Sequence, residues 1–288
     1  MPEIVEVEII REWLDRNYRG CLIKESFKFP EIVGMTIDNV SRKGKQIFFK
    51  LVKRVERAEG DERDEESEVG QNKICLYLNS RLGLQGKWTA TEANNTRFWM
   101  KLIKESGPFS ASAEKGRDKE FILYNDDSQN FGDIELFNET QYINKLSKIG
   151  PDFLNDKIDI QDWMSKIKNK RIKNKQICDY LLEQKYFSGI GNYLKADILY
   201  SSKIKPDRTL ESLTDSEIRT LLEKSFEIIK RSQEHGGLTI KTFWSPEGKK
   251  GMYPTLVYDK KQDPLGNNVI KSTFKDKRVT HWVPEVQK

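Results

Sequence analysis

A chain of 288 residues is long enough to form two modest domains, each with its own hydrophobic core. One third of the residues are charged, and the formal net charge of +5 permits nucleic-acid binding without requiring it. The three cysteines are far apart in sequence, which argues against a disulfide scaffold and against a cysteine-ligated zinc site. No apolar run reaches membrane-spanning length, and the acidic N-terminal stretch is unlike a signal peptide. We therefore expect an intracellular protein of the nucleus or cytoplasm, without membrane contact.

The opening residues have the spacing of an amphipathic helix. The apolar positions on or near one face are Ile4, Val5, Ile9, Ile10 and Leu14. Pro2 then has two interpretations. Proline suits the first turn of a helix, because its missing N–H would have no partner there. Alternatively, removal of Met1 would leave Pro2 with a secondary α-amine at the chain terminus.

That terminal amine would be chemically useful. An α-amine has a pKa of about 8, so a sizeable fraction is unprotonated at neutral pH. Such an amine can attack a sugar carbon and form a Schiff base. With a secondary amine the adduct is a cationic iminium, which acidifies the neighbouring sugar proton and promotes strand cleavage by elimination. Glu3 is placed to transfer the protons.

The following 120 residues or so alternate between apolar and charge-dense stretches, and the apolar ones predict strands. These strands lie near Ile32-Val33, residues 35–37, 47–49, 74–79 and 121–137. Residues 53–72 and 106–120 predict polar loops inserted between strands. Asp126, Asp127, Asp133 and Glu135 could form a metal-nuclease site, but we favour a turn and an outward strand face, because no histidine lies nearby in sequence.

Residues 176–200 predict two helices separated by Ser188-Gly189-Ile190-Gly191-Asn192. The first helix buries the face of Ile177, and the second buries that of Leu194. A helix that starts just after a glycine turn presents free N–H groups, to which an anion can bind. Neighbouring basic residues make a polyanion the expected ligand, although an ordinary helical hairpin with a solvated basic flank fits equally well. These basic residues are Lys166, Lys168, Lys170, Arg171, Lys173 and Lys175.

Two further boundaries are visible in this half of the chain. Gly150-Pro151 interrupts regular structure, as expected for a hinge. Thr214-Asp215-Ser216-Glu217 predicts a capped helix start, and Gly236-Gly237 predicts the end of that helix.

The segment F-S-G-I-G-N-Y-L-K-A-D-I-L-Y (residues 187–200) resembles the helix-two-turn-helix signature of the formamidopyrimidine-DNA glycosylase/endonuclease VIII family of DNA repair enzymes. The resemblance implies that Asn192 contacts the DNA backbone next to the lesion. P-E-I-V-E at the N terminus is similar to the family's P-E-G-P-E, although Ile4 and Val5 replace Gly-Pro. It implies that Pro2 is the nucleophile and Glu3 the general acid/base, and Glu6 matches as a supporting residue.

Three internal segments extend the resemblance. S-R-K-G-K-Q-I-F-F is similar to a family hairpin and implies that Lys45 contacts the lesion-side phosphate, whereas a lone hairpin lysine is otherwise simply exposed. L-G-L-Q-G resembles L-G-M-x-G, which makes Leu84 the wedge that fills the gap left by an extruded base, unless it is a core residue. Phe131 matches the family's intercalating phenylalanine. Gln129 and Asn130 replace two arginines, which leaves opposite-base preference open and favours oxidised pyrimidines and hydantoins as lesions.

The C-terminal tail departs from the usual family pattern. Family members typically end in a zinc finger, but Leu265, Asn268, Val283 and Val286 stand where four cysteines would be, and a structural zinc needs such ligands. The tail therefore resembles the zincless-finger branch, in which apolar packing holds the same hairpin. The match implies that Arg278 enters the minor groove from the hairpin tip. The alternative is a surface arginine on an edge strand.

Together these matches predict an α+β fold: an N-terminal helix with an antiparallel β-sandwich, a hinge, a helix-two-turn-helix domain and a zincless-finger hairpin. The expected domains are residues 1–145, 146–236 and 237–288. The implied function is a monomeric bifunctional DNA glycosylase/AP lyase that needs no cofactor or metal. It would bind damaged double-stranded DNA in the cleft between domains, with the damaged nucleotide flipped out. A non-catalytic nucleic-acid-binding protein and a metal-dependent nuclease remain as alternatives.

Overall fold

The computed structural model describes residues 1–54, 73–104, 118–238 and 245–288. Most of the two predicted polar insertions, residues 53–72 and 106–120, therefore lies outside the described residues. Within the described ranges, no helix is long and apolar enough to cross a membrane. The chain divides into two compact units: Met1–Ile9 with Lys43–Lys45 and Leu146–Lys288, and Ile10–Arg42 with Gln46–Lys145.

The second unit contains an eight-stranded antiparallel sheet. Its strands are β1 (Leu22–Ser26), β2 (Thr36–Lys43), β3 (Gln46–Arg54), β4 (Lys73–Arg81), β5 (Lys87–Thr89), β6 (Thr96–Lys104), β7 (Lys119–Asp126) and β8 (Asp133–Phe137). They are ordered β5-β7-β6-β1-β2-β3-β4-β8 across the sheet. The strand predicted at Ile32-Val33 was wrong: Pro30–Ile32 form a 3-10 turn closed by the Val33 N–H and the Pro30 carbonyl.

This sheet packs against itself. Trp88 on the edge strand β5 lies 5.1 Å from the Phe49 ring on β3 and 6.1 Å from the Phe98 ring on β6, between ring centroids. Its indole Nε1 donates a hydrogen bond of 3.1 Å to Ser80 Oγ on β4. Strands far apart in the hydrogen-bonded order therefore share one core, as expected of the predicted β-sandwich.

The helices and the C-terminal hairpin follow the predicted order. They are α1 (Ile4–Tyr18), α2 (Glu139–Ser147), α3 (Ile160–Ile167), α4 (Ile177–Leu182), α5 (Asn192–Ser201) and α6 (Asp215–Glu234), then β9 (Ile270–Thr273) paired antiparallel with β10 (Val279–Trp282). Thr214 caps α6 through a reciprocal capping box with Glu217, as predicted. The predicted fold class is confirmed.

The core of the first unit is built around α4 and α5, the two helices on either side of the glycine-containing segment Ser188–Asn192. Trp163 and Phe187 are fully buried, with ring centroids 3.8 Å apart. The predicted apolar faces of α4 and α5, including Ile177 and Leu194, are fully buried as well. Because α5 is buried along most of its length, its N terminus is fixed firmly inside this unit.

Candidate active site

The Glu3 carboxylate lies at the N terminus of α5. Its Oε2 accepts hydrogen bonds from the backbone N–H groups of Gly191 at 2.7 Å and Leu194 at 3.3 Å, and its Oε1 accepts one from Tyr193 at 2.9 Å. One of the two interpretations of the sequence placed an external polyanion at this helix terminus. The structure fills the position instead with a carboxylate of the same chain, which the free N–H groups and the helix dipole both favour.

The two glycines before α5 make room for the N-terminal segment. A Cβ on Gly191 would lie 2.3 Å from Glu3 Cδ, and a Cβ on Gly189 would lie 2.6 Å from Ile4 Cδ1. Gly189 also has φ of +99°, which disfavours any other residue, and its carbonyl accepts the Ile4 N–H at 3.0 Å. The G-I-G sequence is therefore required for close packing against residues 3 and 4.

Glu6 is a second buried carboxylate and is fully hydrogen-bonded. Its Oε2 accepts the Glu3 N–H at 2.7 Å, and its Oε1 accepts the Leu238 N–H at 2.7 Å and the Tyr193 hydroxyl at 2.9 Å. The Tyr193 hydroxyl also lies 3.0 Å from Ser232 Oγ on α6. Glu6 thus fixes the backbone of Glu3, while Tyr193 contacts both carboxylates.

The site brings acidic and basic groups together where they are shielded from water, and this changes their pKa values. Burial raises the pKa of Glu3 from 4.5 to about 7, against the opposing effect of Lys45, and nearby Glu6 adds to the increase. Burial also lowers the pKa of the Met1 α-amine and that of Lys45. Near neutral pH, Glu3 can therefore both donate and accept a proton next to the start of the chain.

Pro2 lies outside the N-terminal helix. Helix α1 begins at Ile4, so the interpretation of Pro2 as a first-turn proline does not apply. Pro2 is buried, directly before the Glu3 carboxylate that is bound to α5. The chain position that would carry the amine after Met1 removal is therefore part of the same site.

Lys45 lies in the turn between β2 and β3 and is half-buried rather than fully exposed. The preceding Gly44 has φ of +58°, and its N–H donates a hydrogen bond of 2.6 Å to the buried Asp152 carboxylate. A Cβ on Gly44 would lie 2.6 Å from Ser188 Cβ. The glycine thus allows the turn to approach the segment before α5 closely and places Lys45 near Glu3.

Asn192 on α5 and Arg278 in the C-terminal hairpin lie near the same site. Asn192 Nδ2 donates to the Val279 carbonyl at 2.9 Å, and its Oδ1 has no partner within the described part of the chain. Arg278 is exposed, yet its charge contributes to lowering the pKa of both the Met1 α-amine and Lys45. The predicted residues Glu3, Lys45, Asn192 and Arg278 are therefore brought together in one unit.

Leu84 and Phe131 belong to the other unit, where two neighbouring loops present them. Leu84 is 37% exposed and Phe131 is 57% exposed, so neither is a core residue. A Cβ on Gly83 would lie 2.8 Å from Gly132 N, which shows how closely the two loops pass. Asp127 Oδ2 accepts the Gly132 N–H at 2.6 Å and closes the loop that carries Phe131.

The four acidic residues considered as a nuclease site are engaged in structural contacts. Asp126 accepts the backbone N–H of Asn95, and Asp127 accepts N–H groups of its own turn. Asp133 pairs with Arg81, and Glu135 pairs with Lys145. Across residues 1–54, 73–104, 118–238 and 245–288, no cluster of three or more histidine, cysteine or acidic residues could hold a metal ion. The contacts support the favoured interpretation as a turn and an outward strand face.

Most of the basic segment before α4 is neutralised by acidic partners. Its ion pairs are Lys166–Asp162, Lys168–Asp215, Lys173–Glu211 and Lys175–Asp179. The predicted basic cluster is therefore a weaker electrostatic attractor for a polyanion than its sequence suggests.

Two family models match the C-terminal half of the chain: the formamidopyrimidine-DNA glycosylase H2TH domain over residues 149–244 and the C-terminal domain of the same enzyme over residues 242–288. Curated relatives match over the whole chain. The formamidopyrimidine-DNA glycosylase of Listeria monocytogenes is 26% identical, and that of Enterococcus faecalis 25%; both alignments cover 100% of this chain and at least 97% of the relative. The chain belongs to the formamidopyrimidine-DNA glycosylase/endonuclease VIII family.

Solved structures of family members have the same fold. The MutM (Fpg) protein of Thermus thermophilus superposes with a TM-score of 0.78 at 23% identity, covering 99% of this chain and 98% of that one. The wild-type Lactococcus lactis Fpg (MutM), in complex with DNA containing an oxidised pyrimidine, gives a TM-score of 0.76 at 24% identity over 100% of both chains.

The family's zinc-binding positions have two different replacements here. Val283 is fully buried with Ala196 and Val257, and Val286 packs against them, as the sequence predicted. Leu265, at the other pair of cysteine positions, is 76% exposed and takes no part in this packing.

Hydrogen bonds to Asp263 organise the loop that contains Leu265. The Asp263 carboxylate accepts the N–H groups of Leu265 at 2.9 Å and Asn267 at 2.8 Å, and the Tyr200 hydroxyl at 3.1 Å. An Asp-centred turn therefore shapes the loop at the first pair of family cysteine positions, and a small apolar cluster occupies the second.

Sequence reasoning missed Tyr193 and Lys195, the polar residues that support the site from α5. Both lie within the family signature, but the helical spacing identifies only the apolar positions of this helix, such as Leu194. The described contacts show a tyrosine bound to Glu6 and a fully buried lysine. A lysine on the buried face of a predicted helix was the one available signal for the second residue.

Proposed function

We propose that this protein is a bifunctional DNA glycosylase/AP lyase of base excision repair that acts on oxidised bases in double-stranded DNA. Its full-length relatives are named formamidopyrimidine-DNA glycosylases, and one structural neighbour is bound to DNA with an oxidised pyrimidine. The observation that carries the proposal is the Glu3 carboxylate, which directly follows Pro2, accepts three backbone N–H groups at the start of α5 and has a pKa that burial raises to about 7.

The proposed nucleophile is the secondary amine of Pro2 after removal of Met1. Its nitrogen forms a bond to C1′ of the damaged nucleotide as the bond from C1′ to the base breaks, and the base leaves with the one proton that the amine gives up. Glu3 then protonates O4′, the sugar ring opens, and the nitrogen lone pair forms the iminium with C1′. Removal of the acidified C2′ proton then expels the 3′ phosphate, and a second elimination releases the 5′ phosphate.

Residues suited to contact DNA occur in each of the two units. Lys45, Asn192 and Arg278 surround the amine and Glu3 in the first unit, and their cationic and amide groups suit DNA phosphates. Leu84 and Phe131, exposed on adjacent loops, are suited to fill the space left by a flipped nucleotide. Gln129 and Asn130, in place of the family's arginines, favour oxidised pyrimidines and hydantoins as substrates.

Borohydride trapping tests the chemistry directly. Protein with a free Pro2 amine, incubated with abasic or base-damaged duplex and borohydride, should give a stable protein–DNA adduct. Protein with Met1 retained, or with an N-terminal tag, should not. Equal trapping by tagged protein would reject Pro2 as nucleophile, and no trapping by the free protein would favour the non-catalytic nucleic-acid-binding alternative.

A Glu3 variant tests base excision separately from Schiff-base formation on an abasic site. Glu3→Gln should lose base excision far more than trapping on a pre-formed abasic site, because that sugar no longer has a base to expel. Equal losses on both substrates would assign Glu3 a general structural role instead.

A further inference from the structure

The turn between β9 and β10, residues 274–278, is held by side chains from the two helices of the glycine-containing segment. Gln176, at the N-cap of α4, accepts the Lys275 N–H through its Oε1 at 3.0 Å. Asn192, the first residue of α5, donates to the Val279 carbonyl at 2.9 Å. These two contacts flank Arg278, which is itself exposed.

A buried ion pair joins the same turn to α5. The side chains of Lys195 and Asp276 are 0% and 2% exposed, and Lys195 Nζ lies 2.5 Å from Asp276 Oδ2. Lys195 Nζ also donates to Thr280 Oγ1 at 2.8 Å, on β10. The second oxygen of Asp276 accepts the backbone N–H of Arg278 at 3.0 Å. Asp276 therefore links a buried cation directly to the backbone of Arg278.

The energetics of this buried ion pair favour a role in positioning the turn rather than in stabilising the fold. Removing two charges from water is costly, and well-packed apolar residues in place of a buried ion pair are often as stabilising or more so. A buried pair with directional hydrogen bonds does, however, fix one arrangement of the groups it joins. Here it fixes the turn in a hairpin whose tail offers no thiolates for a structural zinc.

We propose that Lys195 is a positioning residue which, through Asp276, holds the hairpin turn so that Arg278 is oriented to bind DNA. The proposal rests on the proposed function, because it assigns the DNA-binding geometry of the same site. Lys195 itself is fully buried, so its ammonium group is not accessible to DNA in this arrangement. Its effect on DNA binding is therefore transmitted through Arg278.

A double-mutant cycle tests this dependence. The variants are Lys195→Met, which keeps the length of the side chain without its charge, Arg278→Ala, and the two combined. Affinity for a duplex containing a tetrahydrofuran abasic analogue is measured at several salt concentrations, with thermal unfolding in parallel. Lys224→Met, which removes an exposed lysine paired with Glu227 on α6, is the control for loss of one positive charge.

Arg278→Ala and Lys195→Met should each weaken binding by about tenfold and flatten its salt dependence by about one counterion. In the Arg278→Ala background, Lys195→Met should change affinity by less than about twofold, because the group that it positions is already absent. The control should change affinity by less than about twofold. The same loss from Lys195→Met in both backgrounds would overturn the proposal, as would unchanged affinity of the single variant.

A second double variant controls for the case in which Lys195→Met does not fold. Lys195→Met combined with Asp276→Asn removes both charges and leaves no unpaired buried carboxylate, so this variant should fold. It should still bind DNA about as weakly as Arg278→Ala, and wild-type affinity would overturn the proposal. If Arg278→Ala alone binds normally, the DNA-binding role of Arg278 fails. The borohydride test of Pro2 is independent of that result.

Discussion

The pKa of Glu3 predicts a specific dependence of stability on pH. In the folded protein this carboxyl is buried against α5 and has a pKa of about 7, compared with 4.5 when solvated. Between these values the folded protein holds a proton that the unfolded chain releases. Stability contributed by this group is therefore fully present below pH 4.5 and is lost as pH rises through 7.

The size of the effect follows from the two pKa values. Between pH 5 and pH 8, Glu3 should lower the free energy of unfolding of the wild type by about 2.5 kcal/mol relative to a variant with no ionisable group at this position. Glu3→Gln is that variant. Its amide has nearly the same volume as the carboxyl group. Its NH2 group, however, faces one of the backbone N–H donors at the start of α5, so the variant also loses an amount of stability that does not vary with pH.

Denaturant unfolding of both proteins from pH 5 to pH 8 measures this difference. The stability of Glu3→Gln should rise relative to that of the wild type across the series, while Glu6, present in both proteins, contributes nearly equally to each. Base excision by the wild type should also change with an apparent pKa near 7. A stability difference that stays constant from pH 5 to pH 8 would show that Glu3 is not the titrating group.

Three further outcomes are expected. Gly191→Ala places a Cβ 2.3 Å from Glu3 Cδ, so it should destabilise the protein by about 2 kcal/mol and slow base excision by at least about tenfold, measured by unfolding and single-turnover kinetics; normal excision would contradict the assigned position of Glu3. Phe131→Ala should change stability by less than about 0.5 kcal/mol but slow excision of a paired lesion more than cleavage of an abasic site, with Phe27→Ala, also an exposed phenylalanine, as control; equal effects of the two variants would remove Phe131 from the DNA-binding set. The purified protein should contain no stoichiometric zinc and should remain active in chelator, since its tail has no thiolates; one equivalent of zinc by metal analysis would contradict the zincless assignment.

The family and the order of its elements could be predicted from the sequence. The capping box at Thr214, the helical spacing around residues 177 and 194, and the alternation of apolar strand residues are local patterns that report which face of an element is buried. The missing cysteines of the tail were equally visible. The strand prediction at Ile32-Val33 failed because Pro30 favours a tight turn over an extended pair.

The nature of the anion at α5 was decided only by the tertiary structure. Local spacing showed that the helix start could bind an anion, and the nearby basic residues favoured a polyanion as the ligand. The folded chain places Glu3 there, which is 188 residues from Gly191 in sequence. No local pattern encodes a contact over that separation.

The sequence by itself therefore determined the family, the helices around residues 177 and 194 and the absence of cysteines in the tail, because these depend on residue type and short-range spacing. The tertiary structure decided how those groups are tuned and held. Glu3 has a raised pKa because it is buried, and Lys195 reaches Asp276 because α5 packs against the hairpin. Burial and ion pairing depend on every element that surrounds a side chain, and that environment exists only in the folded protein.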